Sequence, residues 1–196
     1  MKVPEGALAY SYNNLTIHDA FWTPVTAIFV HGSLLHLLGN VLFMILFGYH
    51  LEKILGAAKF SASFVLGGVF SFLLSSFFYP AGEYIVGASG AISTVIAMVM
   101  LYDPWKLSFL LVGFPMPLGV AGLTFVLLNF WMANKPMDNT ASMHVAYSVH
   151  IIGFAIGILF SILLNPDWKK NLLACILLFI GYYAVAYWLI NLLTKN

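Results

Sequence analysis

The sequence predicts an all-α fold, a polytopic bundle of about six membrane-spanning helices. Three observations carry that expectation. Of the 196 residues, 62% are hydrophobic and only 8% charged, where a soluble domain has roughly a quarter charged. The apolar residues gather in continuous runs close to the roughly 20 residues that a helix needs to cross a bilayer. The links between runs are short and polar. Barrel strands are excluded because the runs lack alternation, and backbone groups in lipid must then close their hydrogen bonds within a helix.

The runs fall at residues 29–51, 60–80, 84–102, 107–132, 144–164 and 171–193. Residues 1–28 therefore read as an N-terminal segment and outer loop, 29–164 as the membrane core, and 165–196 as a cytoplasmic loop with an extra C-terminal helix. Met1 to Phe21 are mixed and polar, without a charged region leading into an apolar one, so no cleavable signal peptide is expected. In the fourth run Pro115 and Pro117 predict a helix that is short, kinked or preceded by a re-entrant stretch. Trp22, Trp105, Trp131, Trp168 and Trp188 fall near run ends, where indole rings prefer the membrane interface.

Lysine placement gives a direction. If the first run passes inward, Lys53, Lys59, Lys106, Lys169 and Lys170 are cytoplasmic, against Lys2, Lys135 and Lys195 outside. All eight basic residues are lysines, so forked guanidinium recognition of phosphate is absent and nucleic acid is not an expected partner. Cys175, the only cysteine, excludes an intrachain disulfide and is expected to pack against lipid or core.

Polar groups cost free energy in hydrocarbon unless they are paired or hydrated, so those inside the runs mark candidate function. In the first run His36 and Asn40 stand four residues apart, on one helix face, with His31 further out toward the rim. In the third, Gly87-Ala-Ser89-Gly90 flanks a serine with glycines, which leaves its hydroxyl and backbone N–H open to approach. In the fifth, His150, Gly153 and Gly157 share one face that admits close backbone contact. Each motif alone also fits close helix packing or interhelical hydrogen bonding. Counted inward from Tyr84 and His144 at ~1.5 Å per residue, Ser89 and His150 lie at one depth, roughly 8–9 Å.

A serine hydroxyl becomes a useful nucleophile when a base takes its proton, and the tetrahedral intermediate needs donors aimed at its oxyanion. Ser89 fits the nucleophile and His150 the base. The Ser89 N–H with His36 and Asn40 fits the oxyanion site. Glu83 and Asp138 lie near the outer boundary rather than at this depth, so a dyad is expected instead of a triad.

These residues resemble the rhomboid family of intramembrane serine proteases. The resemblance rests on His31-x4-His36-x3-Asn40, then Gly87-x-Ser89-Gly90, then His150-x2-Gly153-x3-Gly157, in that order, and on Gly48-x3-Glu52 closing the first helix. It covers residues 22 to 164. It implies that Ser89 is the nucleophile, His150 the base, and His36, Asn40 and Gly87 part of the oxyanion and substrate site, with His31, Gly90, Gly153 and Gly157 in support. It further implies a site opening to the non-cytoplasmic side, no metal or cofactor, and transmembrane proteins as substrates within the lipid bilayer. Three differences from the family pattern stand out. The chain starts within the loop that follows the first family helix, Thr23 occupies the place of an arginine, and Ser93 occupies that of the aromatic residue beneath the catalytic histidine.

His18, His31, His50 and His144 lack the spacing and partners of a metal site, so no metal is expected. Asn14-Leu-Thr16 has the glycosylation pattern. A non-proteolytic relative that binds membrane-protein clients is the alternative function, and a small transporter using His36, Asn40 and His150 as a polar path is a third.

Overall fold

A computed structural model describes residues 6–110, 114–134 and 147–194. His144, Asp138, Lys2, Lys135 and Lys195 lie outside these residues. Within them the chain is a helical bundle with one small hairpin. Two short helices, α1 (Tyr12–Thr16) and α2 (Thr23–Thr26), belong to the N-terminal segment. The first long helix begins at α3 (Leu34–Phe43), runs through one wide turn at Met44–Gly48 and ends as α4 (Tyr49–Leu55). Ser33 caps its start, its Oγ accepting from the His36 N–H at 3.1 Å. Gly56, at φ +79°, ends it in a backbone conformation that glycine adopts without strain.

The bundle continues through α5 (Ala57–Ser75), α6 (Ser89–Tyr102), α7 (Leu118–Ala133), α8 (Tyr147–Leu164) and α9 (Trp168–Thr194). Among the described residues four helices are long and apolar enough to cross a membrane: Leu34–Leu55, α5, α8 and α9. Helices α6 and α7, read as spans from the sequence, have only 14 and 16 residues. An all-α polytopic membrane fold is therefore established, whereas the count of six is an expectation that length and composition meet for four helices.

Helix α6 is the centre. Every residue from Gly90 to Leu101 is buried, as expected of a helix apolar all round. Small residues let its neighbours approach. A Cβ on Gly153 or Gly157 of α8 would run into the backbone carbonyl of Gly90 or Thr94, and one on Gly67 of α5 would meet Thr94 Oγ1 at 2.5 Å. Thr94 also donates to the Gly153 carbonyl at 2.8 Å, so contact and hydrogen bond coincide. Cys175 of α9 is fully buried against this core, with Sγ 3.4 Å from the Met100 carbonyl.

Further polar contacts mark the two ends of the bundle. At one end His50 pairs with Asp103 at 2.9 Å, and Asn165 and Asn171 both donate to the Leu101 carbonyl at 2.8 and 2.7 Å. Lys53, Lys106, Lys169 and Lys170 lie beside these groups in the chain, and Lys59 starts α5 from the same end. The other end carries the N-terminal segment, which is stitched to the residues before α6. Tyr10 and Ile85 exchange backbone hydrogen bonds at 3.1 and 2.8 Å, and the Gly87 N–H donates to the Ala27 carbonyl at 2.9 Å.

Two expectations change. Residues 84–88 lie before α6 rather than within it, with Ile85 paired to Tyr10 and Gly87 at φ +117°. A depth counted along a helix from Tyr84 therefore does not apply to Ser89, which opens α6. Strand is not wholly absent: β1 (Leu107–Leu110) and β2 (Phe114–Pro117) form an antiparallel hairpin before α7. Pro115 and Pro117 lack amide donors and fit this short edge hairpin rather than a helix. Thr23, in the place of an arginine, is fully buried and donates to the Ala20 carbonyl at 2.8 Å, while Trp22 Nε1 and Thr26 Oγ1 hold the segment through Ala7 and Leu8.

Asn14 heads the three-residue glycosylation pattern. It is buried, and its Nδ2 donates to the carbonyls of Gly6 and Ala9 at 2.8 and 3.0 Å, so the amide is a staple rather than a glycan acceptor. Asn14→Ala is expected to cost about 1–3 kcal/mol, two net hydrogen bonds. It should also open the N-terminal segment to trypsin or thermolysin, whereas glycosidase treatment of the wild type should leave its mass unchanged.

Candidate active site

The four residues singled out for chemistry come from three helices to one cavity. It measures about 580 Å³ and is lined by His36 and Asn40 of α3, Ser89 of α6 and His150 of α8, with Tyr79, Glu83 and Phe125. Ser89, His36 and His150 are half-buried, reachable from the cavity but backed by protein. The cavity lies at the end of the bundle opposite His50–Asp103.

Ser89 is the first residue of α6. The opening N–H groups of a helix have no intrahelical acceptor, and its dipole favours negative charge there. Gly87, two residues earlier, is required twice over. Its φ of +117° disfavours any side chain, and a Cβ would meet the His36 ring at 2.6 Å and Asn40 Nδ2 at 3.7 Å. The glycine thus lets α3 press its polar face against the turn that carries Ser89. Gly90 does the same on the other side, where a Cβ would meet Ser71 at 2.8 Å and Val149 at 3.0 Å.

Asn40 Nδ2 is buried beside this turn and has no hydrogen-bonding partner among the described residues. An unpaired buried donor is costly and calls for an explanation. His36 packs edge-on against His31, ring centroids 5.1 Å apart, and His31 Nε2 is likewise buried without a partner. His31 therefore supports His36 from the rim side.

Ser89 Oγ makes no hydrogen bond to His150 among the described residues. The histidine's partner is instead Asn129 of α7, whose Oδ1 lies 2.7 Å from Nδ1. Catalytic hydrogen bonds often tighten only once substrate is bound. Asn129 was not foreseen, although a lone amide inside an apolar helix is the signal that would have found it. Phe125 was missed as well. Its ring is centred 6.2 Å from that of His150, tilted by 34°, and supplies from α7 the aromatic neighbour that Ser93 does not. Ser93 is buried and donates back to the Ser89 carbonyl at 2.7 Å.

The Rhomboid domain family matches residues 18–167. The chain is 26% identical to the human Rhomboid-related protein 3 over 172 residues, covering 83% of this chain and 42% of that protein. It is 27% identical to the rhomboid protease GlpG of Photorhabdus laumondii over 164 residues, 82% of this chain and 54% of that one. It is 28% identical to the RHOMBOID-like protein 5 of Arabidopsis thaliana over 151 residues, 75% and 46%. The chain thus spans about half the length of these relatives. With most of its length matched by the domain, and the matched stretch holding the whole cavity, the chain belongs to the rhomboid family of membrane proteins.

Proposed function

We propose that the chain is an intramembrane serine endopeptidase that hydrolyses peptide bonds in or near the transmembrane helices of other membrane proteins. The observation that carries this reading is the convergence of Ser89, His150, His36 and Asn40 on one cavity. Ser89 Oγ attacks the scissile carbonyl carbon while its proton passes to His150, which then returns it to the leaving amine. The developing oxyanion takes hydrogen bonds from Asn40 Nδ2, His36 and the Ser89 N–H, in the space that Gly87 leaves open. Asn40 Nδ2, unpaired among the described residues, gains its acceptor as that charge forms. A substrate helix must unwind locally first, because helical carbonyls are already hydrogen-bonded and sterically closed.

The two ends of the bundle support an orientation. With five lysines gathered at the end opposite the cavity, the site opens to the non-cytoplasmic side.

The test is covalent labelling in detergent with a fluorophosphonate probe, which reacts with activated serines. Wild type should label at Ser89, while Ser89→Ala and His150→Ala should remain unlabelled. Equal labelling of all three would remove the catalytic assignment. No labelling of a folded wild type would favour the client-binding alternative, and solute flux through proteoliposomes that survives Ser89→Ala would favour a transporter.

A further inference from the structure

We infer that Asn129 is a positioning residue that fixes the tautomer of His150, an inference that rests on the protease reading only for its catalytic consequence. Asn129 is buried in α7, four residues beyond Phe125 and on the same face. Its Nδ2 donates to the Phe125 carbonyl at 2.9 Å. That bond decides which way round the amide sits, since the reversed amide would set its oxygen against the carbonyl oxygen. The correctly set amide presents Oδ1 to His150 Nδ1 at 2.7 Å. An amide oxygen only accepts, so Nδ1 must carry the proton and Nε2 keeps the free lone pair. A backbone carbonyl thereby specifies, through one amide, which ring nitrogen is the base.

The consequence for the reaction balances. When Ser89 Oγ bonds to the substrate carbonyl carbon, its proton goes to Nε2 while Nδ1 retains its own. The imidazolium so formed still donates to Asn129 Oδ1, which stabilises the positive charge. When the carbon–nitrogen bond breaks, the Nε2 proton leaves with the amine and the starting tautomer returns. Phe125, stacked on Phe154 at 6.4 Å and tilted against Phe43 at 6.2 Å, holds the ring plane while Asn129 holds its rotation. Both grips come from α7, so the base is carried by α8 and aimed by its neighbour.

Nitrogen NMR of protein with ¹⁵N-labelled histidine, in the Ser89→Ala background, reads the tautomer without any catalysis. The His150 signals, identified by their loss in His150→Gln, should show Nδ1 protonated and Nε2 bare. Asn129→Ala should mix the tautomers, and Asn129→Asp, which keeps an acceptor oxygen, should restore the single form. With Ser89 intact, fluorophosphonate labelling should slow about 10–100-fold in Asn129→Ala, the range seen when the outer hydrogen-bond partner of a metal-bound histidine is lost, and recover at least in part in Asn129→Asp. Asn129→Leu, closer in volume, replaces the alanine variant if melting shows that alanine disturbs folding. A single unchanged tautomer in a folded Asn129→Ala or Asn129→Leu overturns the inference. Failure of the wild type to label overturns the protease reading instead and leaves the tautomer result to decide the role of Asn129.

Discussion

Asn40→Ala is expected to slow cleavage of a transmembrane substrate by about 10²–10³-fold, the usual consequence of removing one oxyanion donor. The expectation follows from burial without partnership. Asn40 is 8% exposed and its Nδ2 bonds to nothing among the described residues. Removing such a group should leave resting stability almost unchanged or slightly raised, because no native hydrogen bond is lost and an unsatisfied donor disappears. A donor kept for the transition state thus separates rate from stability, whereas interhelical hydrogen-bond glue would lose both together. The check is the single-turnover rate in proteoliposomes beside thermal unfolding followed by tryptophan fluorescence. A normal rate, or a rate that falls only in step with melting, would contradict the oxyanion role.

Gly153→Leu should be the most damaging single change to the fold among the packing positions. A Cβ there meets the carbonyl oxygen of Gly90, with the Gly90 carbonyl carbon and Ser71 Oγ each 3.0 Å away. Backbone cannot rotate aside as a side chain can, so the helices must separate. That breaks the Thr94-to-Gly153 hydrogen bond. Overpacking a close-fitted interior typically costs about 1–3 kcal/mol, and the upper part of that range is expected here. Activity should fall further than stability, because α6 carries Ser89 and α8 carries His150, and Gly153 sets their spacing. Gly181→Ala is the matched control, since a Cβ at Gly181 meets nothing within 4 Å. Equal melting temperatures for Gly153→Leu and wild type would show that α6 and α8 are not in close contact.

The parts of this architecture legible in the sequence were those written in local spacing. His150, Gly153 and Gly157 repeat at intervals that any helix turns into one face, and His36 with Asn40 does the same on α3. Their meeting with Ser89 at one cavity was less directly readable. A depth counted from Tyr84 needs a helix there, but Ile85 instead pairs strand-like with Tyr10, 75 residues away in sequence, and α6 opens only at Ser89. Such pairing leaves no periodic trace. The hairpin before α7 was hidden for a similar reason. Its prolines announced an interruption without saying what replaced the helix. Asn14 shows that a three-residue pattern says nothing about whether an amide is already used by the protein's own carbonyls. Asn129 is marked in the sequence only as a lone amide in Leu118–Ala133, and nothing local points to its partner 21 residues distant.

The most direct test of the account is reconstitution of the chain with a single-span membrane protein in liposomes, with the products mapped by mass spectrometry. The account predicts one cut in or near the substrate's membrane helix by wild type and none by Ser89→Ala, with both proteins equally folded. Cleavage that persists in Ser89→Ala, or that occurs only in soluble loops far from the bilayer, would contradict it.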